Sequence, residues 1–421
     1  MTIRPTPRQT RIPASLIVLL GALTAIGPFT IDLYLAAFPT ITTDLATDPA
    51  AVQLTITATL AGLALGQLVI GSVSDALGRR LPLLVALGVY VIASLGIVFA
   101  GSVEVLTALR FVQGFTAAAG MVLSTAIIRD RFEGVRVGKA LARMMLVVGV
   151  APAIAPVIGA QFLAWGTWRM MFAALALVGL VLLGLAAVFL KESLPVERRR
   201  AGGLAAATRS YGSLLRDPVF VGLAFVGGFS LAGIFTYVSS ATFVFQEGFG
   251  LSTGQFAAIF ASGAVAITAG TQINGALIGR VHPERILLAG VLFSVVTASL
   301  MVIVAVLGAG VLPLAALLVL TLLTAGILLP AVPVIALAQN AHRAGSAAAL
   351  LGAIQFAVGA FIAPLSGLFD AASPVPMAAV ILGASLVTLA LVLALRRPLA
   401  ARPNVQDDER VLATSQEFAT H

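Results

Sequence analysis

LVALGVYVIASLGIVFA, residues 84–100, runs seventeen positions without a charge, and its reading decides the fold. An apolar helix of about 20 residues spans a bilayer, whereas a membrane β-strand needs about ten residues of alternating polarity. An unbroken run of this length is therefore a helix in lipid. Similar runs lie on either side, at 15–38, 51–74, 81–101, 104–128, 137–162 and 167–190. Six more follow a polar interruption, at 218–246, 253–278, 285–308, 311–338, 345–369 and 375–395. Twelve such helices use about 240 residues, which leaves short loops and two tails in a chain of 421. The composition agrees: 60% of the residues are hydrophobic and 10% charged, against about 25% charged in a soluble domain. A soluble enzyme, a nucleic-acid binder and a disordered scaffold are all excluded.

The scarce charges fix an orientation. Twenty-three of the 25 Lys and Arg residues fall in the tails, the central loop and the even-numbered connections. The opposite loops carry acids such as Asp44, Asp48, Glu104, Glu247 and Asp370. Basic residues stay on the cytoplasmic side of a membrane, so both tails are expected inside the cell. The net charge of +8 is then an orientation signal and implies no nucleic-acid partner. Arg110 and Arg169 are the two exceptions. The amino-terminal run has a basic start, but no small-residue cleavage site follows it, so it reads as a first helix and not a signal peptide.

The expected layout is a tail (1–14), a six-helix bundle (15–190), a cytoplasmic loop (191–217), a second bundle (218–395) and a tail (396–421). The halves echo each other. GQLVIG begins at Gly66 and GTQING at Gly270, and APVIG begins at Ala155 and APLSG at Ala363. The offsets, 204 and 208, are nearly equal and point to a six-plus-six duplication. Transporters built from repeats bind substrate near the midplane and rock one half against the other.

Several chemistries lack their residues. Neither lysine, Lys139 nor Lys191, sits in a phosphate-cradling GxxxxGK[ST] loop. The three histidines, His282, His342 and His421, form no HExxH pair, and there is no cysteine. No metal, cofactor or catalytic residue is expected. The chain reads as a secondary carrier and not as an enzyme.

Asp32, in PFTIDLYLAAFP (28–39), is the residue most in need of a reason. A carboxylate in the middle of a bilayer costs about 2.5–3.5 kcal/mol on insertion scales, so it usually faces a cavity and works. A carboxyl group in a low-dielectric interior holds its proton more tightly than one in water, which suits a proton carrier. The competing reading is an acid at the outer interface. Arg110, in LTALRFVQG (106–114), is its natural counterpart, since a guanidinium stays charged and can tune a carboxylate. The alternative for Arg110 is snorkelling to the membrane surface.

GSVSDALGRR (71–80) closes the second helix. Gly71 permits close approach, Gly78 a tight turn, and Asp75 can pair with Arg79 or Arg80 in a charged latch. In the fifth helix, VVGVAPAIAPVIGA (147–160) places Pro152, Pro156 and Gly159 within about two turns, which predicts a kink against a closely packed neighbour. Phe235 and Tyr237, in GGFSLAGIFTYVSSATFVF (227–245), can contact a ligand in an apolar cavity, although most phenylalanines here face lipid or pack the bundle.

These residues resemble the major facilitator superfamily over essentially the whole chain. GSVSDALGRR looks like its motif A, Arg110 with Gln113-Gly114 like motif B, and WRMMF from Trp168 like the usual start of the sixth helix. TIDLYLAAFPTI, STAIIRDRF and APAIAPVIGA resemble the bicyclomycin/chloramphenicol-resistance group of multidrug:proton antiporters. The resemblance implies an all-α fold of two pseudo-symmetric six-helix bundles in the cytoplasmic membrane. It also implies proton-driven export of lipophilic drugs, with Asp32 as proton or substrate carboxylate, Arg110 as its partner, and the Asp75/Arg79/Arg80 loop stabilising the outward-facing state. Two stretches depart from the pattern. Ala155 and Gly159-Ala160 replace the usual glycine before the second proline and the glycine pair after it. Leu23, Thr24 and Ala25 stand where some members carry a second acid. The expected partners are a small lipophilic substrate, protons and the lipid bilayer, with the protein a monomer. A specific exporter of a sugar or amino acid, or a proton-coupled importer, fits the same features.

Overall fold

The structure is a computed structural model that describes residues 13–133, 135–199, 203–277, 280–340 and 344–400. Residues 1–12 and 401–421 of the two expected tails lie outside the described residues, as do Arg343 and His342. Among the described residues twelve segments are long and apolar enough to cross a membrane, and they fall on the runs read from the sequence. The helices are α1 (Ala14–Asp32), α2 (Phe38–Asp44), α3 (Pro49–Leu77), α4 (Arg80–Val98), α5 (Val103–Arg131), α6 (Val135–Trp165) and α7 (Arg169–Phe189). They continue with α8 (Gly203–Leu215), α9 (Pro218–Thr242), α10 (Thr253–Leu277), α11 (Pro283–Val306), α12 (Val311–Ala338), α13 (Ala344–Ile362) and α14 (Pro374–Ala400). An even number of crossings brings the two ends of the chain to the same side, here called the tail end.

Local chemistry sets the boundaries. Asp48 and Ser102 cap α3 and α5, accepting from the backbone N–H groups of Ala51 and Val105. Gly78 ends α3 at φ +96°, a conformation that side chains other than glycine rarely adopt. The expected central loop, 191–217, contains the helix α8, whose Tyr211 reaches Leu68 and Ser72 of α3.

The sequence repeat has a structural counterpart. A Cβ added at Gly66 of α3 would stand 2.3 Å from the Phe115 carbonyl of α5, and one at Gly270 of α10 would stand 2.1 Å from the Leu323 carbonyl of α12. The second and fourth crossings thus press together backbone to backbone as the eighth and tenth do. Small residues allow this approach in lipid, where van der Waals packing drives helix association. The two halves meet along α3 against α13 and along α6 against α10.

Candidate functional site

The first crossing is not one helix. It runs from Ala14 to Asp44, 31 residues, and α1 stops at Asp32. A 3₁₀ turn, Leu35–Ala37, follows before α2 resumes. Pro28 and Pro39 frame this break, since neither can donate a backbone hydrogen bond. Asp32 therefore lies 18 residues into a 31-residue crossing, in its middle part and not at an interface. The run read from sequence ended at residue 38, which made the acid look closer to the surface than it is.

Asp32 is 6% exposed. Among the described residues its carboxylate takes part in no hydrogen bond or ion pair. Its neighbours along the chain are tied down instead. Thr30 shares a 2.7 Å hydrogen bond with the Tyr90 hydroxyl of α4, and Tyr34 shares one of 2.7 Å with Thr55 of α3. On the far side, a Cβ at Gly159 of α6 would stand 2.0 Å from the Leu33 carbonyl, the residue after Asp32. Gly159 is therefore the point where the fifth crossing rests on the broken first one. α6 continues through Pro152 and Pro156 and touches both α1 and α10, so it spans from the Asp32 segment to the second half.

Arg110 is fully buried and makes no ion pair with Asp32. Its Nη1 donates to Gln113 Oε1 at 2.6 Å, and Gln113 Nε2 donates to Ser94 Oγ at 2.8 Å. The guanidinium lies 4.2 Å from the Tyr34 ring centroid and 5.6 Å from that of Phe172. Its Nε and Nη2 have no hydrogen-bond partner. A desolvated cation–π contact contributes about 2 kcal/mol, which offsets part of the cost of burying the charge. Arg110, expected as the counterpart that tunes Asp32, is held instead against the ring of Tyr34, two residues after the acid. Snorkelling is also excluded for this side chain. Arg169, the other exceptional arginine, is a surface clamp: it pairs with Asp44, stacks on Trp168 and donates to the Ala100 carbonyl.

Phe235 and Tyr237 face inward from α9. Phe235 packs against Phe356 at 5.8 Å, and Tyr237 stacks on Phe260 at 5.0 Å. The Tyr237 hydroxyl is buried without a hydrogen-bond partner. A separate space inside the second half is lined by Ser230, Ser294, Thr321 and Ser385, and neither Asp32 nor Arg110 borders it.

The end opposite the tails is shut by contacts between the halves. Phe38 N–H takes one lone pair of the Leu35 carbonyl. Pro39, four residues on, has no N–H for the other, and Thr242 Oγ1 of α9 donates to it at 2.9 Å. Gln246 donates to the Ala36 carbonyl at 3.3 Å, and the rings of Phe38 and Phe243 lie 5.7 Å apart.

At the tail end, the GSVSDALGRR motif forms a charged network. Arg79 pairs with Asp75 at 2.6 Å and with Asp130 of α5 at 3.0 Å, and also donates to Ser74. Arg80 does not reach Asp75 but donates to the Ala187 carbonyl of α7. Gly71 lies against Val122 of α5. Two members escaped the sequence reading. Asp130 lies within STAIIRDRF, where the flanking arginines drew attention. Glu192 follows α7, and its carboxylate accepts from the backbone N–H groups of Arg79, Arg80, Ser193 and Leu194. It caps the start of α4, where unsatisfied N–H groups and the helix dipole favour an anion. Burial alone would raise its pKa. The four N–H groups together outweigh burial and hold it below the usual 4.5.

Among the described residues no cluster of three His, Asp or Glu side chains suits a metal ion. Comparison with known proteins places this architecture. Residues 19–364 match the model of the Major Facilitator Superfamily. The chain is 39% identical to a Bacillus subtilis (strain 168) protein named uncharacterized MFS-type transporter YdgK, over 87% of this chain and 91% of the other. It is 31% identical to the bicyclomycin resistance protein homolog of Haemophilus influenzae, over 85% and 90%. It is 29% identical to the multidrug resistance protein MdtL of Escherichia coli (strain K12), over 60% and 62%. Its fold is similar to a crystal structure of D-xylose-proton symporter, with a TM-score of 0.67 at 17% identity, covering 89% of this chain and 96% of that one.

Proposed function

The chain belongs to the major facilitator superfamily, and from that premise we propose that it is a proton-coupled antiporter exporting lipophilic compounds by alternating access. Its substrates are chloramphenicol- or bicyclomycin-like in character. It works in the cytoplasmic membrane with both termini inside the cell. The observation that carries this reading is Asp32: an unpaired carboxylate, buried midway along a broken crossing.

Asp32 takes a proton from the outside, and substrate from the cytoplasm displaces that requirement, so that the two loads are mutually exclusive. Arg110 acts on this step through the Tyr34 turn, holding the break in shape. Its unclaimed N–H groups give a deprotonated Asp32 an acceptor-seeking partner within the same half once the segment shifts. Tyr237 and Phe235 supply the wall contributed by the second half. The Asp75–Arg79–Asp130 network keeps the tail ends of α3 and α5 together as the halves rock.

The energy suffices. A proton crossing 100 mV releases about 2.3 kcal/mol, and a tenfold proton gradient adds about 1.4 kcal/mol. Their sum sustains roughly a 500-fold gradient of a neutral compound at one proton per cycle. A monovalent cation exchanged one-for-one would use the pH term alone, so neutral lipophilic substrates suit a lone carboxylate best.

The test is drug accumulation in inverted vesicles, whose lumen is the former outside, under an imposed pH gradient acidic inside, with Asp32→Asn beside the native chain. Export should require the gradient and vanish in the variant. Retained proton-coupled efflux by Asp32→Asn would overturn the assignment. Release of preloaded drug driven by the same gradient would make the protein an importer.

A further inference from the structure

The seam between α3 and α13 carries two glutamines of the first half set against two glycines of the second. A Cβ added at Gly367, in the 3₁₀ turn Ala363–Leu368 after α13, would stand 2.2 Å from Gln53 Oε1. One added at Gly352 would stand 2.1 Å from Gln67 Oε1. The glutamines are fourteen residues apart, about 21 Å along α3 and on nearly one face. Gln53 marks the distal end of the seam, and Gln67 lies toward the tails.

Gln53 is 1% exposed, and neither its Nε2 nor its Oε1 has a hydrogen-bond partner. A primary amide has two donors and two acceptor lone pairs, and leaving all of them dry is unfavourable relative to any state that wets them. Gln53 stands at the same end as the contacts Thr242 to Leu35, Gln246 to Ala36 and Phe38 against Phe243, which hold that end shut. Each of those contacts is satisfied by closure. Gln53 is left unsatisfied by it, and glycine at 367 is what admits the amide without displacing backbone.

From this opposition we infer that Gln53 is a conformation-setting residue, whose dry amide counterbalances closure of the distal end and keeps that end able to open. When the end opens, water reaches the amide and the deficit is removed. The inference rests on alternating access but not on protons, on Asp32 or on the identity of the cargo.

The chain has no cysteine, so Thr43→Cys on α2 and Ser252→Cys before α10, both at exposed distal positions of opposite halves, can carry the only two spin labels. Electron–electron distance measurement on the full chain in lipid nanodiscs then reports distal opening with no substrate and no proton gradient. Gln53→Leu keeps the size and removes the orphaned atoms. It should shift the population about tenfold toward the short distance and slow turnover in export. Gly367→Ala, which crowds the amide, should shift it toward the long distance. An unchanged distribution in Gln53→Leu, or a shift toward the long distance, would overturn the inference, whatever Gly367→Ala does to folding. Loss of proton coupling in the Asp32 experiment leaves this readout unaffected, so the two readings fail separately.

Discussion

The guanidinium of Arg110 lies over the ring of Tyr34, 4.2 Å from its centroid, and this stacking joins the buried charge of α5 to the break in the first crossing. Tyr34 is also fixed from its other end by the 2.7 Å hydrogen bond to Thr55. The break that carries Asp32 is thus held by a cation on one side and a hydroxyl pair on the other.

That arrangement predicts a graded series. Arg110→Lys keeps the charge but loses the planar face and the fork that reaches Gln113, so it should abolish export nearly as fully as Arg110→Ala. Tyr34→Phe keeps the stacking and loses one hydrogen bond, at a cost of about 1 kcal/mol in stability, and should retain most export. Efflux rates and melting temperatures of the purified variants check the order. Full activity in Arg110→Lys would show that charge alone suffices.

The tail-end network predicts an asymmetry between two acids. The Arg79 side chain is 10% exposed, Asp130 16% and Asp75 41%. Removing the partner of a buried charge leaves that charge uncompensated, while an exposed pair contributes little. Asp130→Asn should lower unfolding stability by about 2 kcal/mol, and Asp75→Asn by less than about 1 kcal/mol. Thermal melts in detergent distinguish them, and equal losses would contradict the burial argument.

Glu192 gives the network a pH dependence. Its folded pKa lies below the usual 4.5, so the folded state favours the ionised form. The stabilisation is fully present above that usual value and is lost as pH falls through the depressed folded value. Melting temperature should therefore drop on acidification below about pH 4.5 by more in the native chain than in Glu192→Gln. Parallel melting curves for the two proteins would remove Glu192 from the account.

Gly159 predicts a local clash with a functional result. Any side chain there meets the Leu33 carbonyl, which is backbone and cannot swing aside. Gly159→Ala should insert and fold with a modest loss, about 1–3 kcal/mol, yet export should fall at least about tenfold because the Asp32 segment is displaced. A variant that transports normally would show that the fifth crossing does not position the acid.

Much of this was legible in the sequence. Unbroken apolar runs such as 84–100 admit only helices in lipid, because every backbone N–H and C=O must be satisfied within the segment. The repeat was legible because Gly66 and Gly270 serve the same purpose, backbone contact with the helix two crossings on. Asp75 and Arg79 were legible because they flank the tight turn at Gly78, four positions apart. Residues 1–12 and 401–421 lie outside the described residues, and the orientation assigned to them rests on the placement of Lys and Arg.

What the chain could not reveal by itself was how distant segments share atoms. A carboxylate in an apolar run announces a function, but its partner depends on side-chain directions set by four packed helices. The nearest arginine by residue type turned out to hold a tyrosine ring. Glu192 and Asp130 converge on Arg79 from 113 and 51 positions away, distances at which no periodicity operates. The break after Asp32 needed Pro28, Pro39 and a second-half threonine to be seen together. Composition and spacing thus determined the twelve crossings and the residue types that matter. Only packing decided which of them touch, because lipid is as apolar as the helices and drives none of them together, so the choice of neighbour falls to close contacts that sequence order does not encode.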